Sequence, residues 1–567
     1  MILKKQVVDL LSKHVELSKK QINELIETPP SEDLGDYSFP CFILSKKHKK
    51  SPKDISQGLV GNIKPKKSIE KIKAIGPYIN FFINKKVLAQ EILQINQDYG
   101  KSDVGKGKTI AIDFSGPNIG KPMHIGHIRS TILGDSLMRL FDFQDYRTVG
   151  INYLGDVGLH IGKLITAYEL WLDENSLKKD PVKELLRLYI KFCEQENTPY
   201  QEGIEEEFQE NEWTNKAKEK LKLLELGDKK THKIWESIQK HSKKGFNKVY
   251  NTLNVNFHET TGQSLFSEKG KQVITLAIEQ GKAKIEKDSA VYIDLPDLPK
   301  KYVLRSNGTA SYITYDLGAA IERHKKYNFD KMIYITDFRQ SLHFQQLFAI
   351  LKKLNFNFSS NLQHLGFGTV NFGKEIIATR TGKIILLEDV LKKTIEKAEK
   401  EIKKRKTKGN PEKLGVGALK YSFLKNEPVK DVNFSWEQAL NFEGDTGPYL
   451  QYAYARAASI LRKSKFSEKS AKPDKQLEIP DLHTKEIKLL KKISNFPEII
   501  TQSTNFLNPG ILAHYSFELA QTFSEFYHDC PVIGSKEQNF RLALVNAFKI
   551  TLKNSLYLLG IEVMEEM

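Results

Sequence analysis

The chain has 567 residues, with 87 Lys and Arg against 70 Asp and Glu, and its formal net charge is +17. This length exceeds what one hydrophobic core normally supports, so several domains are expected. The charge favours a polyanionic partner, although a lysine-rich source genome would produce the same excess. Three widely spaced cysteines (Cys41, Cys193 and Cys530) exclude a disulfide framework and predict no zinc cluster. The sequence shows no long apolar stretch and no leader, so we expect a cytoplasmic protein without a membrane span.

The first hundred residues alternate helix-like segments with turns. They end in a strand-like aromatic run at 75–82, which includes Tyr78 and Asn80. The lysine-rich run at 45–53 is either a phosphate-contacting edge or a solvated face.

A strand, a turn and a helix follow from residue 109 onward. Thr109–Phe114 is a short β-branched apolar run, a Ser-Gly-Pro-Asn turn breaks it, and a helical pattern begins near Gly126. A helix N-terminus attracts phosphate because its N–H groups lack backbone partners. His124 and His127 at that terminus could donate hydrogen bonds to a phosphoryl group, or they could be ordinary surface cap residues.

Residues 146–158 predict a second strand that ends in a glycine-rich turn, with Asp156 as a further site candidate. Together with the first unit, this strand suggests half of a doubly wound nucleotide-binding domain. Residues from about 166 to 300 are charged and helix-periodic, and we interpret them as an insertion. The second half of the fold then carries a buried strand at 331–336.

The remainder of the chain is predicted to be helical. A helix follows Gly447-Pro448, and the last helix has Gly560 as its predicted C-cap. A basic run at 403–406 is either an RNA-backbone contact or a solvated face.

The stretch from Pro117 to Thr131 resembles the nucleotide-binding signature of class I aminoacyl-tRNA synthetases, and specifically of arginyl-tRNA synthetases. His-Ile-Gly-His alone indicates the class, whereas the flanking Pro-Asn-x-x-Lys-Pro and Arg-Ser-Thr-Ile-x-Gly-Asp are typical of the arginyl enzymes. The segment from Gly444 to Arg456 is also typical of the arginyl enzymes. The resemblance covers nearly the whole chain.

This resemblance implies a multidomain α/β fold. It predicts an α+β N-terminal tRNA-contacting domain at 1–100 and a Rossmann-like catalytic domain at 101–405 with the helical insertion. A connecting segment at 406–444 and an all-α anticodon-binding domain at 445–567 complete the chain.

The resemblance also implies an arginine–tRNA ligase that serves protein synthesis. The implied substrates are ATP with Mg²⁺, L-arginine and arginine tRNA, no zinc is expected, and a monomer is the family's default. His124, Gly126, His127 and His343 are expected near ATP. Lys121 is expected to act on the leaving pyrophosphate, with Arg380 and Lys383 as supplements. The family usually needs tRNA even for adenylate formation.

In the family's pattern, Asp316 and Tyr312 hold the guanidinium of arginine, while Ser115, Asn118 and Gln340 contact the rest of the substrate. Asp316 alone could equally be a helix N-cap. The resemblance assigns base contacts to Tyr78 and Asn80 in the N-terminal domain. The candidates for base stacking toward the C-terminus are Trp436, Tyr449 and Tyr452, and for all of these aromatic residues core packing is the alternative.

Two positions depart from the family. Gln263 stands where related sequences tend to have a glutamate thought to pair with substrate arginine, and Glu259 is a possible substitute. The loop at 377–391 lacks the usual Lys-Met-Ser-Lys-Ser lysines, and Lys121 fills the compensating position before the histidines. Because of these departures, an inactive tRNA-binding paralogue is one alternative. A class I enzyme for another amino acid is the other, cysteine being nearest in general layout, although three scattered cysteines without a zinc-ligand cluster argue against it.

Overall fold

The computed structural model describes residues 2–197, 211–372, 386–466 and 479–567. Residues 2–100 form an α+β unit. Its elements are α1 (Ile2–Leu11), α2 (Lys19–Leu25), β1 (Tyr37–Pro40), α3 (Phe42–His48), α4 (Pro52–Asn62), β2 (Ile69–Ile75), β3 (Tyr78–Ile83) and α5 (Lys85–Ile92). The strands pair antiparallel in the order β1-β3-β2. Phe39, Ile79 and Phe81 are fully buried, because the apolar face of this small sheet packs against the helices.

The catalytic region is built on a parallel sheet that has five strands among the described residues. They are β4 (Thr109–Asp113), β5 (Arg147–Leu154), β6 (Glu259–Gly262), β10 (Lys331–Asp337) and β11 (Leu362–Phe367). Between β6 and β10 the chain forms a separate antiparallel sheet of β7 (Lys284–Ile285), β8 (Val291–Leu295) and β9 (Leu298–Leu304). The order is β11-β10-β4-β5-β6. The strand order reverses between β4 and β10, and such a reversal opens a crevice at the carboxyl ends of the strands.

Nine described α-helices lie between the strands β4 and β11 along the chain. They are α6 (Ile125–Asp142), α7 (Leu159–Trp171), α8 (Glu174–Lys179), α9 (Pro181–Gln195), α10 (Glu212–Glu225), α11 (Lys229–Thr252), α12 (Ser267–Glu279), α13 (Tyr312–Tyr327) and α14 (Ser341–Lys353). The second half of α6 is almost wholly buried.

The structure differs from the predicted insertion of residues 166–300. Its first run of helices ends at Thr252, and β6 then pairs with β5 in the main sheet before α12 begins, so the stretch contains a core strand. Residues 284–304 form an antiparallel sheet rather than helices. The sequence of β6, Glu-Thr-Thr-Gly, is short, polar and only half-buried at the sheet edge, and it therefore carries no apolar alternation.

The C-terminal third is mainly helical. Its elements are β12 (Val370–Phe372), α15 (Leu387–Arg405), α16 (Pro411–Leu424), β13 (Val432–Phe434), α17 (Trp436–Ala439), α18 (Gly447–Lys463), α19 (Thr484–Ser494), α20 (Phe496–Asn505), α21 (Pro509–Asp529) and α22 (Gln538–Leu558). Gly560 follows the last helix with a φ of +67°, which fits its predicted role as C-cap.

The two ends of the chain meet. Lys4 pairs with Glu498 at 2.6 Å, and Asp36 pairs with Lys491 at 2.8 Å. The last helix also reaches the catalytic region, since Ser136 of α6 donates to the Leu558 carbonyl at 2.8 Å. In the part of the chain that the structure describes, no helix is both long and apolar enough to cross a membrane.

Candidate active site

The predicted site residues gather at the carboxyl edge of the parallel sheet. Ser115 follows β4, Asp156 follows β5, Gln263 follows β6 and Gln340 follows β10. Because all four strands run parallel, their ends open into the same crevice. Residues scattered along the sequence therefore share one cleft.

The two histidines are fixed by hydrogen bonds at the start of α6. His124 is the N-cap, and its Nδ1 accepts a hydrogen bond from the Gly126 N–H at 3.0 Å. The Nδ1 of His127 accepts from the backbone N–H of His124 at 3.2 Å. Since both Nδ1 atoms are acceptors, the ring proton of each neutral imidazole is on Nε2. Each histidine can therefore accept a backbone N–H at the helix start through Nδ1 and donate a hydrogen bond to a phosphoryl group through Nε2.

Burial keeps both imidazoles neutral. It lowers the pKa of His127 from 6.5 to about 4. Burial also holds the pKa of His124 well below 6.5, with smaller contributions from His127 and from the Lys121 charge. The rings lie 3.8 Å apart between centroids. At neutral pH the pair offers hydrogen-bond donors and no cationic charge.

Gly126 lies against the capping imidazole of His124. A Cβ at this position would lie 2.8 Å from Cε1 of the His124 ring. The missing side chain thus leaves room for the capping imidazole to fold over the helix start.

The loop before α6 lies against the end of β5. Ile119 donates to the Gly155 carbonyl at 3.0 Å, and a Cβ at Gly155 would overlap the side-chain oxygen of Asn118. Asn118 is exposed, and Lys121 is half-buried. The loop therefore presents both predicted side chains at the crevice.

Ser115 adopts a φ of +75°, which is unusual for a residue other than glycine. Its Oγ lies 2.8 Å from the hydroxyl of Tyr250 and accepts from Thr131 at 2.9 Å. Burial raises the pKa of Tyr250 to about 12, so this hydroxyl is protonated. In this structure the Ser115 side chain therefore stabilises the turn through protein partners.

Asp316 lies within α13 and is bonded to His343. The N-cap of this helix is Ser311, so the alternative of Asp316 as an N-cap is wrong. Nε2 of His343 and Oδ2 of Asp316 are 2.6 Å apart. Tyr312 begins the same helix, is half exposed, and has its hydroxyl beside Gly158. Asp316 and Tyr312 are one turn apart and face the crevice together.

Asp156 holds the turn that carries Gln263. Its carboxylate accepts from the Ser264 N–H at 2.8 Å, from the Ser264 hydroxyl at 2.6 Å and from Gln239 at 3.0 Å. Burial raises the pKa of Asp156 while the Ser264 hydrogen bonds oppose that rise. Gln263 is half-buried at the crevice. The Asp156 carboxylate thus bonds the residue that directly follows Gln263.

Glu259 does not reach this site. It lies at the opposite end of β6 and bonds Lys326 and Tyr327. The suggestion that Glu259 substitutes for the missing glutamate is therefore wrong.

Sequence reasoning missed a buried ion pair beneath the crevice. Asp113, the last residue of β4, pairs with Arg323 of α13 at 2.7 Å, and the guanidinium lies 4.5 Å from the ring centroid of Tyr153. An aspartate that closes an otherwise apolar strand was the available signal, but its partner is far away in sequence.

The predicted tRNA contacts fall into two groups. Asn80 is 3% exposed and accepts from Ser38, and Trp436 is 5% exposed and donates to Thr394, so both side chains are packed inside the protein. The other group is half-buried, so part of each side chain is exposed to solvent: Tyr78, Tyr449 and Tyr452. Arg380 and Lys383 lie outside the described residues.

Comparison with known proteins identifies the family. The model described as "tRNA synthetases class I (R), catalytic domain" matches residues 88–436. The chain belongs to the arginyl-tRNA synthetase family. The "Arginyl tRNA synthetase N terminal domain" matches residues 1–83, and the "DALR anticodon binding domain" matches residues 450–567. The resemblance read from the motifs is confirmed, as is the predicted fold class.

Relatives align along their full lengths. The arginine–tRNA ligases of Clostridium beijerinckii and Clostridium kluyveri are 38% and 39% identical, each over 100% of both chains. The crystal structure of arginyl-tRNA synthetase from Plasmodium falciparum has a TM-score of 0.80 and 26% identity, and it covers 100% of this chain and 98% of its own. The predicted enzyme class, an aminoacyl-tRNA synthetase, is confirmed with the family.

Proposed function

We propose that this protein is an arginine–tRNA ligase that activates L-arginine with Mg-ATP and transfers it to the 3′ end of arginine tRNA for protein synthesis. The observation that carries the proposal is the shared crevice. It combines neutral imidazoles and Lys121 at a helix N-terminus with the Asp316 carboxylate on the facing helix. The first group suits a polyphosphate and the second suits a guanidinium.

In the first step, a carboxylate oxygen of arginine attacks the α-phosphorus of ATP, and the bond to the pyrophosphate oxygen breaks. Charge then spreads over the phosphoryl oxygens, where the Nε2–H groups of His124 and His127 donate hydrogen bonds. Lys121 stabilises the leaving pyrophosphate, with Arg380 and Lys383 as supplements. Because the attacking carboxylate is already ionised, no side chain acts as general base.

Arginine is selected by Asp316 and Tyr312, with Asn118, Gln340 and Gln263 around the substrate and His343 toward the nucleotide. A buried guanidinium needs a carboxylate partner, and Asp316 supplies it at 15% side-chain exposure. In the second step, a ribose hydroxyl of the terminal tRNA nucleotide attacks the acyl carbon, and AMP leaves. Tyr78, Tyr449 and Tyr452 are the candidates for base stacking.

Mg²⁺ enters with ATP as part of the substrate. The chain's groups nearest the phosphates, Lys121, His124 and His127, are nitrogen donors, whereas Mg²⁺ prefers oxygen ligands that the phosphates and water provide. The proposal includes a monomeric cytoplasmic enzyme without zinc.

The decisive experiment is aminoacylation of total tRNA with each of the twenty amino acids. We expect charging with arginine alone, and we expect the His124→Ala variant to lose it while still binding tRNA. Charging with cysteine or another amino acid would overturn the substrate assignment. Intact tRNA binding without any charging would favour the inactive paralogue.

A second measurement tests the tRNA requirement. Pyrophosphate exchange with arginine and ATP is expected to be slight until tRNA is added. Robust exchange without tRNA would contradict this part of the proposal.

A further inference from the structure

Helices of the insertion pack against the loop that carries Lys121. The N–H of Gly120 donates to Oγ of Ser242 on α11 at 2.8 Å, and Ser242 is 3% exposed. Gly120 has a φ of +79°, and a Cβ there would overlap the side chain of Leu164 on α7. Two helices of the insertion therefore fix the backbone immediately before Lys121.

A third insertion helix contacts the lysine itself. The ammonium of Lys121 lies 4.4 Å from the ring centroid of Tyr189 on α9, and this tyrosine is 1% exposed. The Lys121 charge also helps to lower the pKa of His124. The ammonium is thus close to both the Tyr189 ring and the imidazoles at the helix start.

We propose that Tyr189 is a positioning residue for Lys121, which it holds through the face of its ring beside the phosphate site. A cation–π contact is weaker than the charge-assisted hydrogen bonds that an ammonium forms with a phosphate. The Tyr189 ring therefore keeps the Lys121 side chain beside the phosphate site, and the ammonium moves from the ring to the phosphate when ATP binds. This inference rests on the proposed role of Lys121 toward pyrophosphate.

The test compares Tyr189→Phe with Tyr189→Leu in tRNA-dependent pyrophosphate exchange. Phenylalanine keeps the aromatic face, so its kcat is expected within twofold of wild type. Leucine removes the face, and kcat is expected to fall about tenfold while the KM for arginine is unchanged. If phenylalanine loses as much as leucine, the hydroxyl rather than the ring is responsible and the proposal is wrong.

Fluorinated phenylalanines at position 189 vary the ring charge while nearly preserving its volume. Fluorine withdraws electron density from the face, so one, two and three fluorines should lower kcat in steps. A flat series would overturn the proposal even if the leucine variant fails to fold.

A double-mutant cycle separates positioning from folding. In a Lys121→Met background, Tyr189→Leu is expected to cause no further loss, because the side chain it positions is gone. Equal losses in both backgrounds would assign the ring to packing alone. If Lys121→Met itself retains full activity, the proposed role of Lys121 fails, and this outcome is distinct from failure of the Tyr189 inference.

Trp171→Leu is the matched control. Trp171 holds Lys191 at 4.6 Å in the same kind of contact within the insertion, but that contact does not include Lys121. Its kcat should remain at the wild-type value. A tenfold loss in this variant would mean that any damage to the insertion impairs the site, which would contradict a specific role for Tyr189.

Discussion

His343 and Asp316 are joined across the crevice, with Nε2 of the imidazole 2.6 Å from Oδ2 of the carboxylate. They belong to different helices, α14 and α13, that follow and precede strand β10 along the chain. The residue expected to receive the substrate guanidinium is therefore already oriented by the residue expected near the nucleotide. This hydrogen bond therefore links the two proposed substrate subsites.

Asp316→Asn should raise the KM for arginine about 10- to 100-fold, because a hydrogen bond to a charged group is worth about 1.5–3 kcal/mol. The KM for ATP should change much less. Steady-state aminoacylation measures both constants. Glu322→Gln on the same helix is the control, since its partner Lys269 lies at the surface, and it should leave both constants unchanged.

Gly262→Ala should impair arginine binding. The new Cβ would overlap Oδ2 of Asp156, and that carboxylate cannot move without breaking its bonds to Ser264. We expect at least a tenfold increase in the KM for arginine. Gly58→Ala is the control, because a Cβ there meets open space on α4. An unchanged arginine KM in the Gly262 variant would show that the turn tolerates displacement.

Stability should fall on acidification between pH 6.5 and pH 4. In this range the unfolded chain protonates His127 at its ordinary pKa of 6.5, whereas the folded protein holds it neutral to about pH 4. The folded state thus binds fewer protons, and it loses up to about 3 kcal/mol from this group as the pH falls.

The His127→Gln variant should show a shallower dependence of the urea-unfolding midpoint on pH. His14→Gln, at an exposed position, should retain the wild-type dependence. Parallel curves for all three proteins would argue against a buried neutral His127.

Lys163 and Glu196 form a fully buried ion pair at 2.6 Å within the insertion, and Thr214 also donates to Glu196 at 2.8 Å. Lys163→Met alone leaves a buried carboxylate without its cation and should cost about 3–5 kcal/mol. The double variant Lys163→Met, Glu196→Gln should recover most of that loss.

Urea unfolding followed by tryptophan fluorescence is the appropriate measurement for these variants. Three of the four tryptophans, Trp171, Trp213 and Trp235, lie in the insertion helices. If the double variant is no more stable than the single one, the lost stability comes from packing of the lysine stem rather than from the unpaired charge.

The sequence by itself determined the features that are local along the chain. The β-branched run before Ser115 predicted β4. The helix after His124 was also predicted, because the turn and the helix start are formed by residues that are neighbours in the sequence. The sequence likewise predicted that the last helix ends near Gly560. These patterns depend only on residues a few positions apart.

The tertiary structure decided what distant segments do to one another. The pairing of Asp156 with Ser264 spans 108 residues, and it follows from β6 joining the sheet beside β5. The packing of Asn80 and Trp436 inside the protein was also undetermined, because an aromatic or amide pattern is the same on a core face and on an RNA-binding face. Strand order and burial arise from the collapse of the whole chain, which periodicity within a short window does not encode.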